Sequence, residues 1–449
     1  MMAIRLRDLS ACFEGVIPSI IATAAADGSP NISYLSHVVL VDDERIALSN
    51  QFFSKTAANV RANPAAAVLV VDPRNGEQYR LDVSFEQTLD SGELFDEMAV
   101  QLRASSAQLG MGEVMRLRGV DIYRVSALNA VPSPSTVQAY SPATTGPQLA
   151  AMAAVSRGIC QASDVDSVVD SVLEGLQTLQ YGNAMLLLTE PDSDRLVTIG
   201  TRGYERSGIG SEVVIGEGVI GMAAQERRPI RISDMSRVQR FGSAVQTSSA
   251  EENRTRTISL PGMPDAMSQL ALPMIAQGTL RGVLFLESCR RLAFTREDEA
   301  ALSIIAMQAA AALALAGDES GEAQPVSSLV ATGATKPGGP IRVVHYAYDD
   351  SIFIDNDYLI KGVPGRLLIY LLRTYLREGR SEFSNREIRL ADELRLPDVK
   401  DNLETRLLLL RRRLEEKAAP VQLLHVGRGR VRLELAGPVL LDKAAGGTD

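Results

Sequence analysis

The 449-residue chain contains no tryptophan, and only three cysteines and three histidines. Cys12, Cys160 and Cys289 form no CxxC pair, which argues for a reducing compartment and against a zinc or iron–sulfur site. His37, His345 and His425 lie far apart, so no His-based metal centre is expected. Uninterrupted hydrophobic runs are scarce as well. The stretch MMAIRLRDLSACFEGVIPSIIATAA is broken by Glu14 and Pro18 and followed by Asp27, so neither a signal peptide nor a membrane span is expected. A cytoplasmic location follows as an expectation.

What is present is ordinary for a core-forming chain: 45% hydrophobic and 22% charged residues. The length predicts two to four domains. The net charge of −9 is unevenly spread. From Lys361 to Leu435 the sequence has 17 basic against 11 acidic residues, a local +6. That asymmetry suits an acidic body joined to a polyanion-binding end, or simply an Arg-rich helical surface. Two Pro/Ser/Thr- or Gly-rich stretches, 131–147 and 317–340, read as flexible linkers. They separate domains predicted at 1–133, 148–316 and 341–436.

The first block reads as short strands (IPSIIATAA, NISYLSHVVLVDD, RIALSN, AAAVLVVD) around a small helix, SKTAANVRANP, stopped by Asn63-Pro64. Two more strands, YRLDVSFEQTL and DIYRVSALNAV, flank a helix from about Glu93 to Leu109. Such an arrangement suggests a barrel. Hydroxyls and an ammonium at a helix start, where amide N–H groups are free, suit a phosphate. The plain alternative is a capped helix with Ser54 as N-cap.

The run DGSPNISYLSHVVLVDD, RIALSNQFFSKTAANVRANP, AAVLVV resembles the FMN-binding split barrel of the pyridoxamine-phosphate-oxidase-like superfamily. The resemblance implies that Ser54, Lys55 and Thr56, with Asn59 one turn on, hold a flavin phosphate. The isoalloxazine would then lie along Ser33 to Ser36 and Ser49, Asn50 and Gln51. The expected cofactor is FMN, with another flavin, a deazaflavin or haem as alternatives, and the family implies a homodimer. His37 reads as a core histidine, and no catalytic residue is assigned.

The second block opens with two helical patterns, continues with strands and closes on TREDEAALSIIAMQAAAALALA, for which Thr295 is the expected N-cap. Helices at both ends of an antiparallel sheet make it α+β. Its GEGVIG run follows no parallel βαβ pattern, which excludes a dinucleotide fingerprint. VVIGEGVIGMAAQERRPIRISDMSR and LALPMIAQGTLRGVLFLES resemble a GAF domain. That likeness implies either a small-molecule pocket, with an unknown ligand, or a dimerisation role. Residues 239–265 read as a mobile loop. The last helix is apolar around so much of its circumference that burial against a second copy is expected.

The third block begins with a candidate hairpin, DDSIFIDNDYLIKG, and a helix from Pro364 to Gly379. A second helix is capped by Ser384 with Glu387, and a third starts near Leu396-Pro397-Asp398. Val399, Leu403, Leu407, Leu410 and Leu414 fall at core spacing. The opposite face would present Asn402, Thr405, Arg406, Leu409, Arg412 and Arg413 to DNA bases and phosphates. The following hairpin sets Arg428, Arg430 and Arg432 on one face, apt for phosphate contact. This order resembles the winged-helix effector domain of response regulators, although Asp401 and Glu404 in the third helix also admit a protein partner.

The fold class expected is therefore multidomain α+β: an N-terminal split β-barrel, a central GAF α+β domain and a C-terminal winged helix-turn-helix. The expected function is a cytoplasmic, homodimeric one-component regulator whose barrel and GAF domain control DNA binding. A flavin-dependent oxidoreductase with regulatory GAF and winged-helix domains is the alternative.

Overall fold

The computed structural model describes residues 4–51, 54–108, 116–132, 149–190, 193–236, 256–318, 339–394, 403–427 and 429–443. The first block is a seven-stranded antiparallel sheet ordered β2-β1-β5-β6-β7-β4-β3. Its strands are β1 (Ser19–Ala24), β2 (Pro30–Leu35), β3 (Val38–Leu40), β4 (Arg45–Asn50), β5 (Ala65–Val71), β6 (Gln78–Leu89) and β7 (Gly119–Val131). The sheet curls around Ile21, Ile46, Leu48, Val68, Val70, Leu81 and Tyr123, all essentially inaccessible to solvent. Between β4 and β5 lies the short helix α1 (Ser54–Ala62), as its composition predicts.

Helix α2 (Glu93–Gln108) connects β6 to β7 and belongs to two cores. Met98 packs with Val39, Ala47, Val120 and Ile122 of the barrel. Val100 and Ala104, four residues apart on another face, pack with Met185, Leu187, Ile220, Val283 and Phe285 of the second block. Polar contacts flank this seam: Gln101 Nε2 donates to the Pro229 carbonyl at 3.0 Å, and Arg103 pairs with Glu226 at 2.6 Å.

The second block is a six-stranded antiparallel sheet ordered β10-β9-β8-β13-β12-β11. The strands are β8 (Asn183–Thr189), β9 (Arg195–Arg202), β10 (Glu212–Val214), β11 (Ile230–Ile232), β12 (Ser268–Ala276) and β13 (Thr279–Ser288). Helices α3 (Leu149–Gln161), α4 (Val165–Thr178) and α6 (Arg296–Asp318) cover one face, while α5 (Gly218–Glu226) and α2 cover the other. Thr295 caps α6 as expected: its Oγ1 accepts from Asp298 N at 3.2 Å, and Asp298 accepts in return from Thr295 N at 2.8 Å. Among the described residues α6 is one helix long and apolar enough to cross a membrane. Its Leu302, Ile305, Ala306, Ala309, Ala310 and Leu313 are instead buried in the domain core.

The third block has two sheets, ordered β16-β15-β14-β20 and β17-β19-β18. The strands are β14 (Ile341–Tyr346), β15 (Ser351–Ile354), β16 (Asp357–Ile360), β17 (Glu382–Ser384), β18 (Val421–Gly427), β19 (Arg430–Leu435) and β20 (Val439–Lys443). Helices α7 (Val363–Glu378), α8 (Asn385–Arg389) and α9 (Leu403–Glu416) complete it. The β15–β16 hairpin turns on Asp355 and Asn356, both at positive φ, which matches the right-handed strand twist. Ser384 caps α8 by accepting from Glu387 N at 3.2 Å. Strand β20, which the sequence pattern did not indicate, pairs in parallel with β14 and carries this unit on to Lys443.

These units are not separated by their linkers. One apolar cluster runs from α3, α4 and α6 through β8, β12 and β13 into α7, α9 and β18 of the third block. Linker residues 133–148 and 319–338, like most of the loop expected at 239–265, lie outside the described residues. Because Val100 is buried against the apolar sheet of the second block, Val100→Glu forces a carboxylate into apolar surroundings, at a cost of several kcal/mol. The expected result is a lower melting temperature and a larger radius of gyration by small-angle scattering. An unchanged radius would show that α2 does not hold the two units together.

Candidate functional site

At the N-terminus of α1 the barrel gathers short polar side chains. Asn31 and Ser33 project from the same side of β2, and Thr23 lies opposite Asn31 on β1. Asn31 Nδ2 donates to Thr56 Oγ1 at 3.0 Å. The Ser33 and Thr56 hydroxyls lie 3.0 Å apart, and Asn59 Nδ2 donates to Thr23 Oγ1 at 3.0 Å. Lys55 is exposed beside them. Of the expected phosphate-site residues, Thr56 thus meets Ser33 at a helix start whose amides have no helical partner, with Lys55 next to it in sequence and Asn59 tied to Thr23. Ser54 begins the helix.

Two members of this cluster, Thr23 and Asn31, escaped the sequence reading. The signal was the Asn31-x-Ser33 alternation on β2. Asn59 is directed into the protein by its bond to Thr23 and is buried.

A second group lies on β4 and at the end of β2. Ser36 Oγ donates to Gln51 Oε1 at 3.3 Å. Gln51 Nε2 is fully buried and has no hydrogen-bond partner among the described residues. Ser49 Oγ accepts from His37 N at 3.1 Å. Asn50 corrects the expectation for its run. Strand alternation turns it to the opposite face from Ser49 and Gln51, where it donates to Asp121 Oδ2 at 3.2 Å.

Beyond Ser36 opens a cavity of about 710 Å³ between barrel and second domain, lined by Tyr34, Ser36, His37, Gln101, Arg231 and Ser233 among others. One wall is a buried charge network. Arg231 pairs with Glu14 of the barrel and, at 2.8 Å, with Glu299 of α6. Ser233 Oγ donates to Glu14 at 3.2 Å. A smaller cavity, about 470 Å³, lies within the second domain between α5, α2 and the sheet. Gly221 lets α5 pack close to the end of β10: any Cβ there would sit 2.2 Å from the Val214 carbonyl oxygen. Glu287 faces this cavity and accepts from Tyr204, Gln269 and Met263 N. Burial raises its pKa above the ordinary carboxylate value.

The expected DNA-facing residues are placed differently from the sequence reading. Asn402 and Arg428 lie outside the described residues, as does the expected start of the third helix. Between Leu403 and Leu414 helix α9 turns no residue freely to solvent. Thr405, Arg406 and Leu409 are buried. Arg413 is a core strut, its Nε donating to the Leu359 carbonyl at 2.9 Å and its Nη1 meeting Glu416 at 2.6 Å. Arg412 reaches into the second domain, to Asp166 at 2.7 Å and Asp170 at 2.6 Å. Arg411 also pairs with Asp166. Burial alone would raise the Asp166 carboxyl, but the two guanidiniums hold it below its ordinary value. The physical reason for the difference is that α4 and β9 cover the face taken as free. Arg430 and Arg432 lie on β19, where Arg432 is neutralised by cross-strand Glu382 at 2.7 Å.

Residues 8–126 match the family model described as Pyridoxamine 5'-phosphate oxidase, and residues 162–314 match the GAF domain model. The chain therefore combines a pyridoxamine-phosphate-oxidase-like barrel with a GAF domain. Among solved structures, an FMN-binding protein from Syntrophomonas wolfei subsp. wolfei is 17% identical, over 28% of this chain and 84% of its own, with a TM-score of 0.24. The GAF domain of an Acinetobacter phosphoenolpyruvate-protein phosphotransferase is 16% identical over 39% and 98%, with a TM-score of 0.32. Free methionine-R-sulfoxide reductase from Neisseria meningitidis is 16% identical over 37% and 87%, with a TM-score of 0.29. No curated protein matches the chain.

His37 gives this site a pH dependence. Burial lowers its pKa from 6.5 to about 4. The unfolded chain therefore takes up the proton first as pH falls, and stability drains away between 6.5 and 4. Denaturant titrations should show a loss of about 2 kcal/mol between about pH 7 and pH 5. A His37→Asn variant should lack that component; an identical slope in both proteins would show that His37 is not its source.

Proposed function

We propose that this chain is a homodimeric regulator in which a flavin-binding barrel and a GAF domain control a winged-helix, DNA-binding output. The carrying observation is that the Arg-rich helix α9, in the place of a recognition helix between α8 and the β18–β19 hairpin, rests directly on the GAF domain. A change in that domain would reach α9 without an intermediary. The order hairpin, three helices, hairpin in residues 351–435 supports the winged-helix reading.

Flavin binding is supported by the donor set. Ser33, Thr56, Lys55 and the α1 amides would hold the phosphate of FMN. Gln51 Nε2, a buried donor without a partner among the described residues, and Ser36 would meet the polar edge of the ring. The bound flavin would supply a redox-sensitive chromophore, and Ser36 would link it to the interdomain cavity. Dimerisation is supported by exposed apolar surface on α6, where Ile304, Met307 and Leu315 lie on one stripe. On β2, Ile32 and Tyr34 are similarly exposed.

Titration with FMN should quench flavin fluorescence, and Thr56→Val with Lys55→Ala should weaken binding by roughly tenfold or more. No binding by the wild-type chain would end the flavin reading. Rapid NAD(P)H turnover by the yellow protein would favour the oxidoreductase alternative. Ile304→Glu with Met307→Glu should convert a dimer to a monomer in sedimentation if α6 forms the interface; a dimer unaffected by both changes would exclude it.

A further inference from the structure

We propose that Arg411 and Arg412 form a phosphate-binding site for duplex DNA, and that Asp166 and Asp170 of α4 occupy it in place of phosphates, so that this conformation is the closed state. The proposal rests on the DNA-output reading above and adds to it a named site and a named competitor.

The contacts are specific. Asp166 receives both guanidiniums: Arg411 through Nη2, and Arg412 through Nη2 at 2.7 Å and Nε at 3.1 Å. Asp170, one turn further along α4, takes Arg412 Nη2 at 2.6 Å. Arg412 Nη1 is satisfied by the Ile199 carbonyl at 3.3 Å. Residue 200 is glycine here, where a Cβ would lie 2.7 Å from Val169 Cγ1 and 2.8 Å from that Nη1. At the C-terminal end of α9, Glu416 Oε1 accepts from Gly208 N at 3.2 Å, and Leu409 lies beside Gly210. The helix is thus held along its length.

A fork of guanidinium donors binds carboxylate and phosphate oxygens in the same planar, two-point manner. Two arginines facing two anionic groups is the charge pattern of a backbone contact on DNA, filled here from within the chain. The remaining cations of the helix are committed elsewhere. Arg413 is held by Leu359 and Glu416 inside its own domain, and Arg406 is buried. Unlike Arg413, Arg411 and Arg412 pair with carboxylates of another domain. Their side chains keep 19% and 12% exposure, against 2% for Arg413. Domain separation would therefore free these two and leave Arg413 in place. Asp170, by contrast, is 56% exposed, so the outer half of the contact is open to competition from solvent anions.

The test uses the full chain, with Asp166→Asn/Asp170→Asn as the main variant. Asp170→Ala serves as a milder second variant, since that side chain is largely exposed. Asp90→Asn/Glu93→Gln, on the barrel, controls for net charge. Two readouts are taken: amide hydrogen exchange across residues 403–416, and anisotropy of a labelled random-sequence duplex between roughly 50 and 200 mM salt. Faster exchange in α9, with about tenfold tighter, salt-sensitive DNA binding by the double variant and no gain in the control, is the expected result. Unchanged exchange in both latch variants overturns the closed state itself. Faster exchange with wild-type DNA affinity, or an equal gain in the control, overturns the competition between carboxylate and phosphate. Faster exchange with no salt-sensitive binding by any form would sink the DNA-output reading, and this proposal with it.

Discussion

Everything in this molecule is arranged around one requirement: the six-stranded sheet of the GAF domain must be covered on both faces. Helices α3, α4 and α6 meet that need on one side. On the other, α5 spans only Gly218–Glu226, too short to cover six strands, and Val100 and Ala104 of α2 fill the remainder. The barrel is therefore fixed to the sheet by the same burial that stabilises the sheet. On the helical side the apolar cluster continues outward into the third block. A domain that completes its core with its neighbours' residues transmits their positions as well.

The polar seams follow from that packing. Arg231 bridges Glu14 and Glu299, so a residue of the barrel, a strand of the sheet and the last GAF helix share one buried cation. Breaking such a network leaves an unpaired buried charge, which is far costlier than separating an exposed pair. The seam between α4 and α9 is of a different kind. Its carboxylates are partly exposed, its arginines are satisfied in part by backbone, and solvent reaches its outer edge. Of the two polar seams, the one between α4 and α9 is the more open to solvent, and the one around Arg231 is the more deeply buried.

Much of the fold was legible because it is encoded locally. The Thr295 cap, the Ser384 cap, the Asp355-Asn356 turn and the alternation of the barrel strands are decided within a few residues of chain. The polar cluster at the start of α1 was half legible. Thr56 and Ser33 were found through helix-start chemistry and a family likeness, whereas Asn31 and Thr23 matter only because β1 and β2 pair in that register. Asn50 was misplaced because its run was read as a unit, although strand alternation sends it to Asp121. The greatest loss was at α9. Leu403, Leu407, Leu410 and Leu414 gave its inner face correctly, but Leu409 and Arg412 were assigned to solvent. Nothing in residues 403–416 reveals that Asp166 and Asp170, which look like the wet side of an amphipathic helix, lie across from them.

The dual membership of α2 also bears on how the chain folds. Its barrel-facing and sheet-facing residues sit on a single stretch of sixteen residues, so the helix cannot be ordered for one core and disordered for the other. Barrel and GAF domain should then behave as one cooperative folding unit, despite the Pro/Ser/Thr-rich run between them. During synthesis the barrel emerges first, with Val100 and Ala104 still uncovered. It remains a nascent intermediate with an exposed apolar stripe until β8, β12 and β13 have left the ribosome and assembled against it.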